Sequence, residues 1–340
     1  MKDILRLLKD GNKPSLLAGI VNAAIAILKA VAYILTGNVA MFAETLHSLG
    51  DAANQFFVYI GSALSKKAPT PNFPNGFGRV VNLVCLGAVI IVGIMSYEAV
   101  KEGWHHVLNP TETKGLLINL SVLGLATALE FFVLLKASKE IAHESGQAYT
   151  GLKAFTYSLT NLSKAKPATK LVFMEDMVAT IGGLLAFTAV LIAHYTGFLR
   201  AEGIASMLIG FMMFYVVGKI FLENARGAIG ETDEEMLNHI AQIIAEDPDV
   251  KDIQKVEVIK EGEYLHVEVI AEVDPTKTVA YIDDVRDRLL SLVLKQKGVR
   301  EALISFDEDD GIKTWQGVNE PKMSEETRKK LPENKKQRGE

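Results

Sequence analysis

The chain has 340 residues, of which 49% are hydrophobic and 23% charged, with a mean hydropathy of +0.19. The two populations must be segregated, and apolar runs near the ~20 residues that cross a bilayer recur before residue 222 and not after it. A formal net charge of −5, with basic residues not clustered among aromatics, excludes a general field for nucleic acid, and a single cysteine, Cys85, excludes a disulfide framework or cysteine-based zinc motif.

The first fifteen residues are polar and basic, so no cleavable signal peptide is expected. Six membrane spans follow, at about 15–36, 38–63, 80–101, 114–136, 169–195 and 203–222. Lys2, Arg6, Lys9 and Lys13 precede the first span, and Lys66, Lys67 and Arg79 follow the second. Lys139, Lys153, Lys164, Lys166 and Lys170 lie between the fourth and fifth, whereas Gly37-Asn38, 102–113 and the turn holding Arg200 are poor in Lys and Arg. The positive-inside rule then puts both termini in the cytoplasm, the membrane being the cell membrane if the source is bacterial or archaeal.

Beyond Glu231 the periodicity changes to that of a soluble domain, with a helix at 233–246, strands at 253–260 and 264–273 around a turn at 261–263, a helix at 277–296 and a strand at 300–306. This αββαβ order suits a small α+β ferredoxin-like sandwich. The domains expected are a cytoplasmic segment 1–14, a six-helix transmembrane domain 15–222, a cytoplasmic ferredoxin-like domain 223–310 and a disordered, charge-rich tail 311–340.

Ionisable side chains inside a membrane span are costly, and the second span carries three, Glu44, His47 and Asp51. Spacings of three and four put them on one helix face. A neutral imidazole and a carboxylate one turn apart can bind one ion, a donor pair suited to zinc and neighbouring first-row metals; the alternative is a hydrogen-bonded pair that only holds helices together. The fifth span adds Glu175 and Asp176. Counted at ~1.5 Å per residue, Asp51 lies about 20 Å below Asn38 and Asp176 about 10 Å above Thr169, the same level in a core of ~30 Å. Neighbours on a helix diverge by ~100°, so Asp176 is assigned to the site, and Glu44 and Glu175 to supporting or proton-handling roles. Lys29 can pair with Glu44 or snorkel to the surface, and Glu130 can sit at a metal entry or face headgroups.

The run Thr36-Gly37-Asn38-Val39-Ala40-Met41-Phe42-Ala43-Glu44-Thr45-Leu46-His47-Ser48-Leu49-Gly50-Asp51-Ala52-Ala53-Asn54-Gln55 resembles the cation diffusion facilitator family. So do Gly76-Phe77-Gly78-Arg79, Glu175-Asp176 and Ile229-Gly230-Glu231, and the branch is that of zinc transporter 9 and its bacterial relatives. The resemblance covers about 15–310. It implies a homodimeric exporter with six membrane helices and a cytoplasmic ferredoxin-like domain, moving zinc, or sometimes manganese, iron, cobalt or cadmium, out of the cytosol in exchange for protons. It implies no prosthetic group, the divalent ion being substrate.

The family's metal site takes two residues four apart from each of two helices. His47 and Asp51 match the first pair and Asp176 the later member of the second, but Val172 stands at the earlier position and cannot coordinate metal. Three protein ligands with an open place also describe a catalytic zinc site, so a membrane-embedded hydrolase is an alternative, without an HExxH motif to support it. A membrane-anchored regulator is another. His105, His106, His143, His194, His239 and His266 each have an ordinary interfacial or solvated reading; His105-His106 can collect or release metal weakly, and His239 and His266 can serve a regulatory site.

Overall fold

The computed structural model describes residues 11–162, 167–262 and 264–315, so the 1–10 segment, Lys164, Lys166, Glu263 of the hairpin turn and the tail from 316 onward lie outside the described residues. The chain divides into two compact units, Met1–Arg226 and Gly227–Glu340.

In the first unit, α1 (Lys13–Thr36) opens on Asn12, whose Oδ1 accepts the Ser15 N–H at 3.1 Å. It closes on Gly37, left-handed at φ +69°, whose N–H donates to the Tyr33 carbonyl at 2.7 Å. Asn38 then caps α2 (Val39–Ser65), accepting the Met41 N–H at 2.7 Å. Two residues thus reverse the chain, because glycine tolerates the left-handed turn and asparagine satisfies the next helix's free donor. After α2 come α3 (Val80–Leu108) and α4 (Leu116–Glu144), then a short α5 (Gly151–Asn161), α6 (Pro167–Thr196) and α7 (Arg200–Ile229).

Among the described residues five helices are long and apolar enough to cross a membrane: Lys13–Thr36, Val80–Leu108, Leu116–Glu144, Val172–Thr196 and Arg200–Ile229. Leu117, Ile34 and Leu35 are among their outward-facing side chains, 78%, 77% and 65% exposed, as expected of a surface that meets lipid. The difference from the six expected spans lies in α2, where Glu44, Thr45, His47, Ser48 and Asp51 lower the hydropathy and the first four of these are buried. Helix α5 is not announced by the sequence pattern. It is too short to span, and its Phe155 ring lies 6.3 Å from both Phe131 on α4 and Phe173 on α6, over a cluster with Leu134 and Ile141.

The second unit is a three-stranded mixed sheet with two helices. Helix α8 (Glu234–Ala245) starts at Asp233, which caps the Met236 N–H at 3.0 Å. Strand β1 (Val250–Glu261) pairs antiparallel with β2 (Tyr264–Val273) through a turn containing Gly262, and α9 (Val279–Val293) carries the chain to β3 (Val299–Glu308), parallel to β2. Strand order is β1-β2-β3. Ile240, Ile244, Leu289 and Val293 from the helices pack on Val258, Val267, Val269 and Ile304 from the strands. Alternating side chains on β1 and β2 fill that one face.

Candidate metal centre

On α2, His47 is 6% exposed and Asp51 half-buried, with His47 Nε2 3.6 Å from Asp51 Oδ2. That separation is beyond a hydrogen bond, so the imidazole and carboxylate stand side by side one turn apart rather than consuming each other. His47 Nε2 is buried without a hydrogen-bond partner, and so is Asp176 Oδ2 on α6. Asp51 and His47 both act electrostatically on Asp176. Glu130 acts on Asp176 as well. Glu175, the next residue, interacts with Asp51, Asp176 and Glu223. Val172, 47% exposed, contributes no donor. Among the described residues no three His, Cys, Asp or Glu side chains converge closely enough to hold an ion, so the arrangement is a pair with a neighbouring carboxylate.

Lys29 corrects the sequence reading. Its side chain is 0% exposed and does not snorkel. Its ammonium donates to Glu44 Oε2 at 2.7 Å, Ser48 Oγ at 2.9 Å and Glu130 Oε1 at 2.9 Å, joining α1, α2 and α4. Glu130, 14% exposed, turns one oxygen to that ammonium. A lysine and two glutamates with no other place to satisfy their charge draw together, and three donors meet three acceptors. Sequence spacing pointed to Lys29–Glu44 as one option; Glu130 is 101 residues from Lys29 and carried no local signal. Glu223, one residue past the expected last span, was missed for the same reason.

Five buried side-chain atoms without hydrogen-bond partners lie on α2, α4 and α6: Glu44 Oε1, His47 Nε2, Thr127 Oγ1, Glu130 Oε2 and Asp176 Oδ2. Folded proteins rarely leave such atoms unsatisfied, and all five are acceptors or metal donors that a cation or water would satisfy. The Gly182-Gly183 pair of α6 lets the helix approach them, since a Cβ at Gly182 would lie 2.7 Å from Glu44 Oε1.

The other histidines stay apart from this seam. His106 is 3% exposed, its Nε2 3.2 Å from the Leu199 carbonyl, so it joins α3 to the start of α7 instead of collecting metal. His105 and His143 are exposed. His194 lines a cavity of about 240 Å³ with Glu112, Asn119 and Glu202; Glu202 is buried and accepts a short hydrogen bond from Thr113. In the sheet unit, His239 pairs with Gln296 at 2.9 Å and His266 lies 3.3 Å from Glu268 and 3.7 Å from Glu301, with no cluster of ligands among the described residues.

An apolar helical unit with a polar seam of imidazole and carboxylates is the class of protein that passes ions across a membrane. The chain belongs to the cation efflux family, whose model, described as the cation efflux transmembrane domain, matches residues 15–227. It is 26% identical over 336 residues to the "Proton-coupled zinc antiporter SLC30A9, mitochondrial" of Xenopus laevis, covering 96% of this chain and 58% of that one. The protein of the same name from Mus musculus is 27% identical over 260 residues, 75% of this chain and 44% of that one. "Zinc transporter ZitB" of Escherichia coli is 24% identical over 293 residues, 83% of this chain and 84% of that one. The chain spans about half the length of the SLC30A9 relatives it matches.

Proposed function

We propose that this chain is a secondary transporter, not an enzyme, that exports a divalent metal ion, zinc first, in exchange for protons. The observation that carries the reading is the buried, unpaired His47 Nε2 beside Asp51, with a further unpaired atom, Asp176 Oδ2, on α6. Donors of this kind bind an ion only when deprotonated, so metal and proton compete for them. The printed names of the relatives, a proton-coupled zinc antiporter and a zinc transporter, support both metal and coupling.

In this reading six helices span the bilayer, α2 being the sixth, with its polar residues turned inward. The termini are cytoplasmic, and the sheet unit is a ferredoxin-like domain that serves a homodimer. His47, Asp51 and Asp176 take the ion from the cytoplasm, Val172 leaves a fourth place to water or to Glu175, and rocking of the helices opens the site outward as protons replace the metal. One imidazole with two carboxylates is harder than two imidazoles, so manganese, iron or cobalt fit beside zinc.

Flux into proteoliposomes with an imposed pH gradient, over a panel of divalent ions, tests this. Zinc flux driven by the gradient is expected, falling to the level of protein-free liposomes in His47→Ala and Asp51→Ala. Wild-type rates in those variants would sink the assignment.

A further inference from the structure

The proposed route does not use the cluster of Lys29, Glu44 and Glu130. Each carboxylate gives one oxygen to the ammonium, Glu44 Oε2 at 2.7 Å and Glu130 Oε1 at 2.9 Å, and keeps the other, Glu44 Oε1 and Glu130 Oε2, buried without a hydrogen-bond partner. Thr127 Oγ1, one turn before Glu130 on α4, is orphaned in the same way. The three spare oxygens share a wall. A Cβ at Gly182 would lie 2.7 Å from Glu44 Oε1, and a Cβ at Gly183 would strike Thr127 Oγ1 and lie 3.3 Å from Glu130 Oε2. Two adjacent glycines of α6 therefore pack against spare oxygens of α2 and α4, while the Lys29 ammonium holds the other oxygen of each carboxylate.

Two carboxylates, Glu44 fully buried and Glu130 14% exposed, against one ammonium leave the cluster short of positive charge, and burial makes that shortage costly. Carboxylate and hydroxyl oxygens without imidazole or sulfur form the donor set of a hard divalent cation such as Mn²⁺. Glu44 is 0% exposed, and its free oxygen lies against Gly182.

We propose that Glu44, Glu130 and Thr127 form a second divalent-cation site, and that Lys29 is its tethered competitor. The ammonium holds the carboxylates and must move before an ion can settle among them, so an ion dwells there briefly where the bare carboxylates would trap it. This role rests on the reading of the chain as a metal transporter, but the site itself can be tested apart from His47 and Asp51.

The test counts Mn²⁺ bound to the purified full chain in detergent, by the paramagnetic resonance signal of free Mn²⁺, in a His47→Ala/Asp51→Ala background. Adding Lys29→Met is expected to tighten binding of one ion per chain by roughly tenfold or more, and further Glu44→Gln and Glu130→Gln changes to abolish it. Binding in the Lys29→Met protein that is no tighter, or that survives loss of both glutamates, overturns the proposal. Because Lys29→Met can fail to fold, a second variant keeps Lys29. Thr127→Cys, made with Cys85→Ala, is expected to show a cadmium–thiolate absorption band that Glu130→Gln removes. A folded Thr127→Cys protein with no band, or with a band indifferent to Glu130, overturns it equally.

Discussion

Lys29 in α1 and Arg288 in α9 each bring one cation to two carboxylates, but in opposite surroundings. Lys29 is 0% exposed with Glu44 and Glu130, whereas the Arg288 side chain is 46% exposed and forks to Asp247 at 2.7 and 2.9 Å and to Asp249 at 2.8 Å. In the sheet unit water reaches Arg288 and Asp249, whose side chain is 20% exposed, so that pair adds little, while Asp247, 5% exposed, relies more on the guanidinium. In the helical unit no water stands in, and removing one charge leaves the others stranded. A buried ion group of this kind is weak evidence for stability and stronger evidence for a working role, since apolar side chains of equal size would hold the helices at least as well.

The comparison breaks first at Lys29. Lys29→Met is expected to destabilise the helical unit by about 3–5 kcal/mol, read as a lower midpoint of thermal unfolding in detergent, and Lys29→Met/Glu44→Gln/Glu130→Gln to recover most of that loss. A triple variant no better than the single one would mean that shape, not charge, matters there.

Gly182→Ala comes next. Its Cβ meets Glu44 Oε1 rather than a yielding methyl, so a loss of about 1–3 kcal/mol is expected. Gly218→Ala on α7, with open space around its Cβ, should instead gain roughly 0.5–1 kcal/mol from helix propensity. Equal effects at the two glycines would remove the close approach of α6 from the account.

The smallest effect belongs to the sheet unit. The Arg288 guanidinium and then the Tyr281 hydroxyl hold the Asp249 carboxyl below its usual range. A depressed folded-state value contributes stability that is present above the unfolded pKa of about 3.9 and lost as pH falls through the lowered value. Arg288→Ala should therefore speed hydrogen exchange around 247–250 only slightly at neutral pH, and the difference from wild type should vanish in strong acid. A difference that grows with acid would reverse the sign assigned to Asp249.

Much of the metal centre was legible because it is local. His47 and Asp51 lie four apart on one helix, and a 3.6-residue period puts them on one face wherever that helix goes. Asp176 joins the proposed centre through the additional idea of equal depth. The Lys29 group was not legible beyond one optional pair, for a lysine near a span can reach water or stay inside, and that choice depends on a glutamate far along the chain. His106 shows the same limit, since its partner is the Leu199 carbonyl. Helix α5 escaped because its single apolar stripe acquires meaning only against Phe131 and Phe173.

By itself the sequence determined the division into an apolar helical part and an αββαβ part, the Gly37-Asn38 reversal, and the shared face of Glu44, His47 and Asp51. All follow from residue chemistry acting within a few positions. Only the tertiary structure decided that Lys29 turns inward, that Glu130 shares its ammonium, and that Gly182-Gly183 brings α6 against the unpaired oxygens. Charges in a medium without water take whichever partner the packed helices present, and that partner is set by the fold rather than by the neighbouring residues.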